Sequence, residues 1–145
     1  MTKQDEQFER IEAVVSGSED QTLGEAVARF YEHLSRTLEL PCEVTGVEDF
    51  NWEERYVIGP GSPKEWQRLR KTQPSYQDCY NLLKITNDEE SEWMLFPGED
   101  IAAHVRRKSD GKEFVLGLAE LKATDKKSRN FQLLDDFAVF LVNNR

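Results

Sequence analysis

The stretch IAAHVRRKSDGKEFVLGL, residues 101–118, decides the fold. Ile101, Ala103 and Val105 alternate with Ala102, His104 and Arg106, the period of a strand with one face buried. Phe114 to Leu118 reads as the return strand. Between them Asp110-Gly111 fits a tight hairpin turn in which both central residues take positive φ. A hairpin here means antiparallel pairing.

Working outward, Thr22 and Glu25 form a capping box, with Thr22 as N-cap and Glu25 at the third helical position. Leu23, Ala26, Val27, Phe30, Tyr31, Leu34 and Leu38 then line one helical face up to Pro41. Before it, Phe8, Ile11 and Val15 recur at helical spacing until Gly17. After it, the spacing predicts a strand from Cys42 to Val47 and another from Trp52 to Ile58. Gly59-Pro60-Gly61 is a turn, and Ser62-Pro63-Lys64-Glu65 starts a short helix with proline at the first helical position. Tyr76 to Thr86 is rich in aromatic and branched residues and reads as a strand. A closing helix carries Leu134, Ala138, Leu141 and Val142. The pattern is α+β: N-terminal helices, a small curled antiparallel sheet or partly open barrel, and a C-terminal helix. The 145 residues suit a single domain, residues 1–145.

Charge is distributed unevenly. Residues 1–54 carry fourteen Asp/Glu against four Lys/Arg, whereas residues 55–145 carry fourteen against fifteen. Within the balanced part, Asp88, Glu89, Glu90 and Glu92 have no basic neighbour, and Glu99 and Asp100 follow closely. A net charge of −9 excludes nucleic acid and anionic membrane as expected partners, because both require basic surface. No apolar run spans a bilayer and no apolar leader opens the chain, so a cytoplasmic location is expected. Cys42 and Cys79 form no disulfide framework.

Catalytic signatures are missing. His33 and His104 stand in no recognisable motif, and Cys42 and Cys79 lack the close spacing of a zinc site. Gly59-Pro60-Gly61-Ser62 lacks the Gly-Lys-Ser/Thr ending of a phosphate loop. Arg106-Arg107-Lys108 reads as a soluble hairpin rim, and adjacent Glu53-Glu54 would point to opposite faces of a strand. The expectation is no enzyme.

Crowded carboxylates repel one another unless a cation sits among them, and calcium takes six to eight oxygen ligands. No EF-hand fits: with Gly24 or Gly98 as the loop glycine, Leu23 or Trp93 would occupy a ligand position. Candidate ligands for an irregular Ca²⁺ site are Asp88, Glu89, Glu90, Glu92, Glu99 and Asp100, joined by Glu48, Asp49, Glu53 and Glu54. The competing expectation is a metal-free acidic module that docks a basic protein partner through exposed Trp52, Trp93 or Phe96.

The order of features also resembles a known family. Val14-Val15, an acidic break, Phe30-Tyr31-Glu32-His33-Leu34, and then Leu38-Glu39-Leu40-Pro41-Cys42-Glu43-Val44 are similar to the opening of the cyanobacterial CcbP-type calcium-binding proteins. Phe114-Val115-Leu116-Gly117-Leu118-Ala119-Glu120-Leu121 is similar to that family's closing strand, which often has proline where Gly117 stands. The stretch from Glu48 to about Leu83 reads as an insertion, so no ligand is transferred. The resemblance implies a small acidic calcium-binding protein, a buffer or sensor without catalytic activity.

Overall fold

Capped helices cover a five-stranded antiparallel sheet in this computed structural model, which describes residues 2–17 and 20–145. In chain order the elements are α1 (Lys3–Val15), α2 (Leu23–Thr37), β1 (Cys42–Gly46), a 3-10 turn Asn51–Glu53, α3 (Glu54–Val57), α4 (Pro63–Leu69), β2 (Cys79–Thr86), β3 (Ala102–Arg107), β4 (Glu113–Gly117), a second 3-10 turn Leu118–Glu120, β5 (Leu121–Ala123) and α5 (Arg129–Asn144). The strand order is β4-β3-β2-β1-β5, every pairing antiparallel and the sheet open at both edges.

Side-chain oxygens start the helices, because the first turn leaves backbone N–H groups without partners. Thr2 accepts from Asp5 N–H and Asp5 returns the bond, a complete capping box. Thr22 accepts from Glu25 N–H at 3.1 Å, so α2 forms the Thr22 half of its expected box. Ser62 and Ser128 do the same for α4 and α5.

The core lies between the sheet and the helices. Ala26, Val27, Phe30 and Leu34 of α2 meet Leu134, Phe137, Phe140 and Leu141 of α5, with Phe30 against Phe137 at 5.3 Å and Phe140 at 5.0 Å between ring centroids. Val44, Tyr80, Leu82, Val105 and Leu116 supply the sheet side. Burying each large apolar side chain stabilises by about 1.5–3 kcal/mol. A register shift between Leu82 and Lys84 lets β2 bury Tyr80 and Leu82 and then Ile85, switching its alternation by one residue.

Four expectations need correction. Residues 52–58 are a 3-10 turn and a short helix, because Glu53 folds back to accept Phe50 N–H instead of extending. In the hairpin only Gly111 is left-handed, at φ +76. Asp110 does not take positive φ and uses its carboxylate on Lys112 N–H and the Arg107 guanidinium. Arg107 is no soluble rim: it is 2 % exposed, lies over Phe114 and donates to Asp78, Asp110 and the carbonyls of Arg70, Lys71 and Gln73. Finally, Trp52, Trp93 and Phe96 are half-buried. Trp52 donates to Pro74 carbonyl at 2.6 Å and Trp93 packs edge-on against Phe114.

Candidate metal centre

The connection from β2 to β3, residues 87–101, builds the acidic region. It turns sharply at two left-handed residues, Asp88 at φ +61 and Gly98 at φ +85. A side chain tolerates that conformation poorly, and Asp is among the residues that adopt it most readily. Met94 is buried beneath the loop. Ser91 donates to Val115 carbonyl, fixing the loop on β4. Between this loop and the start of α2 lies a cavity of about 570 Å³. Asp88, Glu89, Glu90, Glu99 and Asp100 line it, together with Leu23, Gly24 and Val27. Glu92 is exposed and lies outside that lining.

The five lining carboxylates differ in what they already hold. Glu89 is bound by Thr86 Oγ1 and by His104 Nε2, the latter at 2.6 Å, and these partners hold its carboxyl below its ordinary range. Glu99 reaches Arg145 at 3.4 Å, whose guanidinium lies over the Phe96 ring. Glu90 Oε1 lies 3.2 Å from where a Cβ on Gly98 would stand, so the bare glycine gives that side chain its place.

Asp100 is the buried member, 5 % exposed at the base of the cavity. It accepts from Ile101 N–H at 2.7 Å and Ala119 N–H at 3.2 Å. Burial nevertheless pushes its carboxyl up to about 7. Its neighbour is Glu120, a residue the sequence reading did not select. The Asp100 Oδ2 and Glu120 Oε2 atoms both crowd the point where a Cβ on Gly117 would sit, the second at 2.6 Å, so the two oxygens face each other across the glycine. Any larger residue there, proline included, would drive into both. Burial raises Glu120 to about 7 as well, and each carboxyl raises its neighbour or is raised by one: Glu120 acts on Asp100, and Glu48 acts on Glu120. Glu120 also accepts from Leu95 N–H at 3.1 Å and so ties the loop to the Leu118–Glu120 turn. Its sequence signal was a lone carboxylate in the apolar run Phe114–Leu121.

The second expected group of ligands divides. Glu48 and Asp49 line a separate groove of about 440 Å³ that also contains Glu120, Leu95, Phe96 and Val142. Glu120 therefore stands between the two acidic regions, with Asp100 on one side and Glu48 on the other. Glu53 belongs to neither. It is fully buried, and its carboxylate accepts from Phe50 N–H, Tyr76 N–H, Ser75 Oγ and Trp66 Nε1, the last three at 2.8, 2.7 and 2.9 Å. Glu54 lies on α3 beside a shallow depression with Trp52 and Ile58, away from both acidic regions.

An all-oxygen donor set is the chemistry that calcium selects over softer metals. As they stand, among the described residues, no three Asp, Glu, His or Cys side chains converge closely enough to hold a metal ion. The donor chemistry fits, whereas the positions require loop side chains to close in.

No family model matches the sequence, and no curated protein matches it by sequence. Solved structures do match. The crystal structure of Anabaena CcbP superposes with a TM-score of 0.57 at 17% identity, covering 97% of this chain and 93% of that one. The fold is that of CcbP. A second structure, a calcium binding protein in the calcium-binding form, superposes with a TM-score of 0.55, again at 17% identity and with the same coverage. The superposition covers more of the chain than the two ends on which the sequence resemblance rests. No described helix is long and apolar enough to cross a membrane.

Proposed function

We propose that this chain is a non-catalytic calcium-binding protein, a cytoplasmic buffer or sensor, whose ion is drawn to the cavity between α2 and the 87–101 loop. Asp100 is the anchor, Glu90 and Asp88 are the nearby recruitable carboxylates, and Glu120 supports from behind Gly117. One observation carries the reading: the buried Asp100, at the base of an acidic cavity, faces the half-buried Glu120 over a bare glycine, with no cationic side chain within bonding distance of either among the described residues. Burying paired like charges is costly unless a positive charge joins them. A dication would supply that charge and hold the loop against α2. The solved structure of this fold described as a calcium binding protein in the calcium-binding form agrees with the reading.

Because the loop carboxylates must move to complete a shell, affinity should be modest, about micromolar to millimolar. Binding to the folded state alone stabilises it by mass action, by about 2.7 kcal/mol at a hundredfold excess over Kd. Calorimetric titration with CaCl₂ and a parallel thermal melt test this directly. Heat of binding and a raised Tm, both lost in Asp100→Asn, are expected. Absent heat together with an unchanged Tm would remove the proposal.

A further inference from the structure

Opposite in character to the acidic cavity is a cleft of about 430 Å³ where α1, α2 and α5 meet. Four of the chain's ten arginines line it, Arg10 from α1, Arg29 and Arg36 from α2 and Arg129 from α5, with the His33 imidazole among them. Two carboxylates also face it, Glu32 and Asp136. Asp136 is already committed: it takes a two-pronged bond from Arg10 at 2.9 and 3.0 Å and a third from Gln7. Arg29, Arg36 and Arg129 have no carboxylate within ion-pair distance among the described residues.

That is an uneconomical use of cations in a chain with 28 carboxylates and 19 basic residues. Arginines left over from surface solvation would be expected to find some of those carboxylates. Instead three converge on one concavity, close enough that Arg36 and Arg129 both push the half-buried His33 below its ordinary range, after burial itself. The floor is apolar, from Val14, Phe30 and Leu133. Planar guanidiniums present paired donors that match the oxygens of phosphate, and an apolar floor suits an organic group attached to it. We propose that this cleft binds a phosphorylated small molecule, with Arg29, Arg36 and Arg129 holding a phosphoryl or diphosphoryl group. The net charge of −9 repels anions in general, so binding here requires the local convergence of guanidiniums and not the protein's overall field.

Arg36 and Arg129 are exposed, and neither supports the core, so both can be changed without unfolding the chain. The test uses the whole protein in EDTA, which keeps it independent of the calcium reading. NMR follows the two histidine rings while inorganic pyrophosphate, or ADP in a second arm, is titrated against NaCl of equal ionic strength. Either ligand should saturate and raise the His33 pKa, leaving His104 unmoved as an internal control. Arg36→Gln with Arg129→Gln should weaken binding at least about tenfold, since each lost guanidinium removes a charge-assisted pair. Three results would each overturn the proposal: no saturable response to either ligand, the same response to NaCl, or an unaltered affinity in the double variant.

Discussion

Glu53 and Asp100 are both buried acids in acidic stretches of sequence, yet their surroundings are opposite. Glu53 receives four donors from the backbone and side chains of residues 50–76, and Arg107 completes the same polar layer by gathering the carbonyls of residues 70–73 together with Asp78. Asp100 receives two backbone donors and then faces a second carboxylate, the half-buried Glu120. The first arrangement is closed and holds irregular chain to the sheet. The second remains short of positive charge. Acid density along a sequence is therefore a poor guide to ion binding, because the number of donors already aimed at each oxygen decides whether a cation has anything to add.

The comparison breaks first at its closed side. Arg107→Leu takes one donor from Asp78, which keeps Arg70 and Ser75 N–H, and leaves the Arg70, Lys71 and Gln73 carbonyls without the guanidinium, and Glu53→Ala strands the Ser75, Tyr76 and Trp66 donors. Either change should destabilise by about 3–5 kcal/mol in urea unfolding, the cost of breaking a buried charged network from one side. Calcium affinity, corrected for the folded fraction, should be unchanged in both.

At the open side, Glu120→Gln should have the opposite sign. Removing one of two facing carboxylates relieves apo-protein repulsion, raising stability at pH 8 by about 1–2 kcal/mol, or several degrees in Tm. The same change should weaken calcium binding at least about tenfold, a loss of about 1.4 kcal/mol. A destabilised Glu120→Gln protein would show that the Leu95 tether outweighs the repulsion.

The pH dependence separates the two regions next. Asp100 and Glu120 titrate at about 7 in the fold, and near 4 in an unfolded chain. Between those values the folded protein binds more protons, so apo stability should fall as pH rises from about 4 to about 7 and stay low above. Calcium should rescue it most at the alkaline end. Asp110 acts in the other sense. Arg107 holds it at about 2, so its contribution is complete above its unfolded value and fades only as pH falls toward 2. Melting curves from pH 2 to pH 9, with and without calcium, resolve both slopes.

The smallest effects belong to the exposed acids. Glu92→Gln and Glu54→Gln should change stability by less than about 0.5 kcal/mol and leave calcium affinity within twofold of the wild type, since neither lines the cavity beside Asp100. A large loss of affinity in Glu92→Gln would place the ion farther out on the loop than Asp100 allows.

Local chemistry carried much of the architecture. The apolar stripe of residues 23–38, the serine and threonine caps and the hairpin pairing around Asp110-Gly111 each depend on neighbours a few residues away, and each reappears in space. Residues 52–58 misled because Glu53 answers to Ser75 and Tyr76, far along the chain. Arg107 misled in the same way, its acceptors lying at residues 70–78.

By itself the sequence determined an α+β chain with its acid concentrated in residues 1–54 and in the loop before β3, since patterning, capping and charge counts are properties of short windows. Only the tertiary structure decided that Glu53 is satisfied, that Asp100 meets Glu120 over Gly117, and that four arginines share one cleft. Those outcomes depend on which distant donors and charges the fold brings within a few ångströms, and electrostatic energy in a buried, low-dielectric setting is set by that distance.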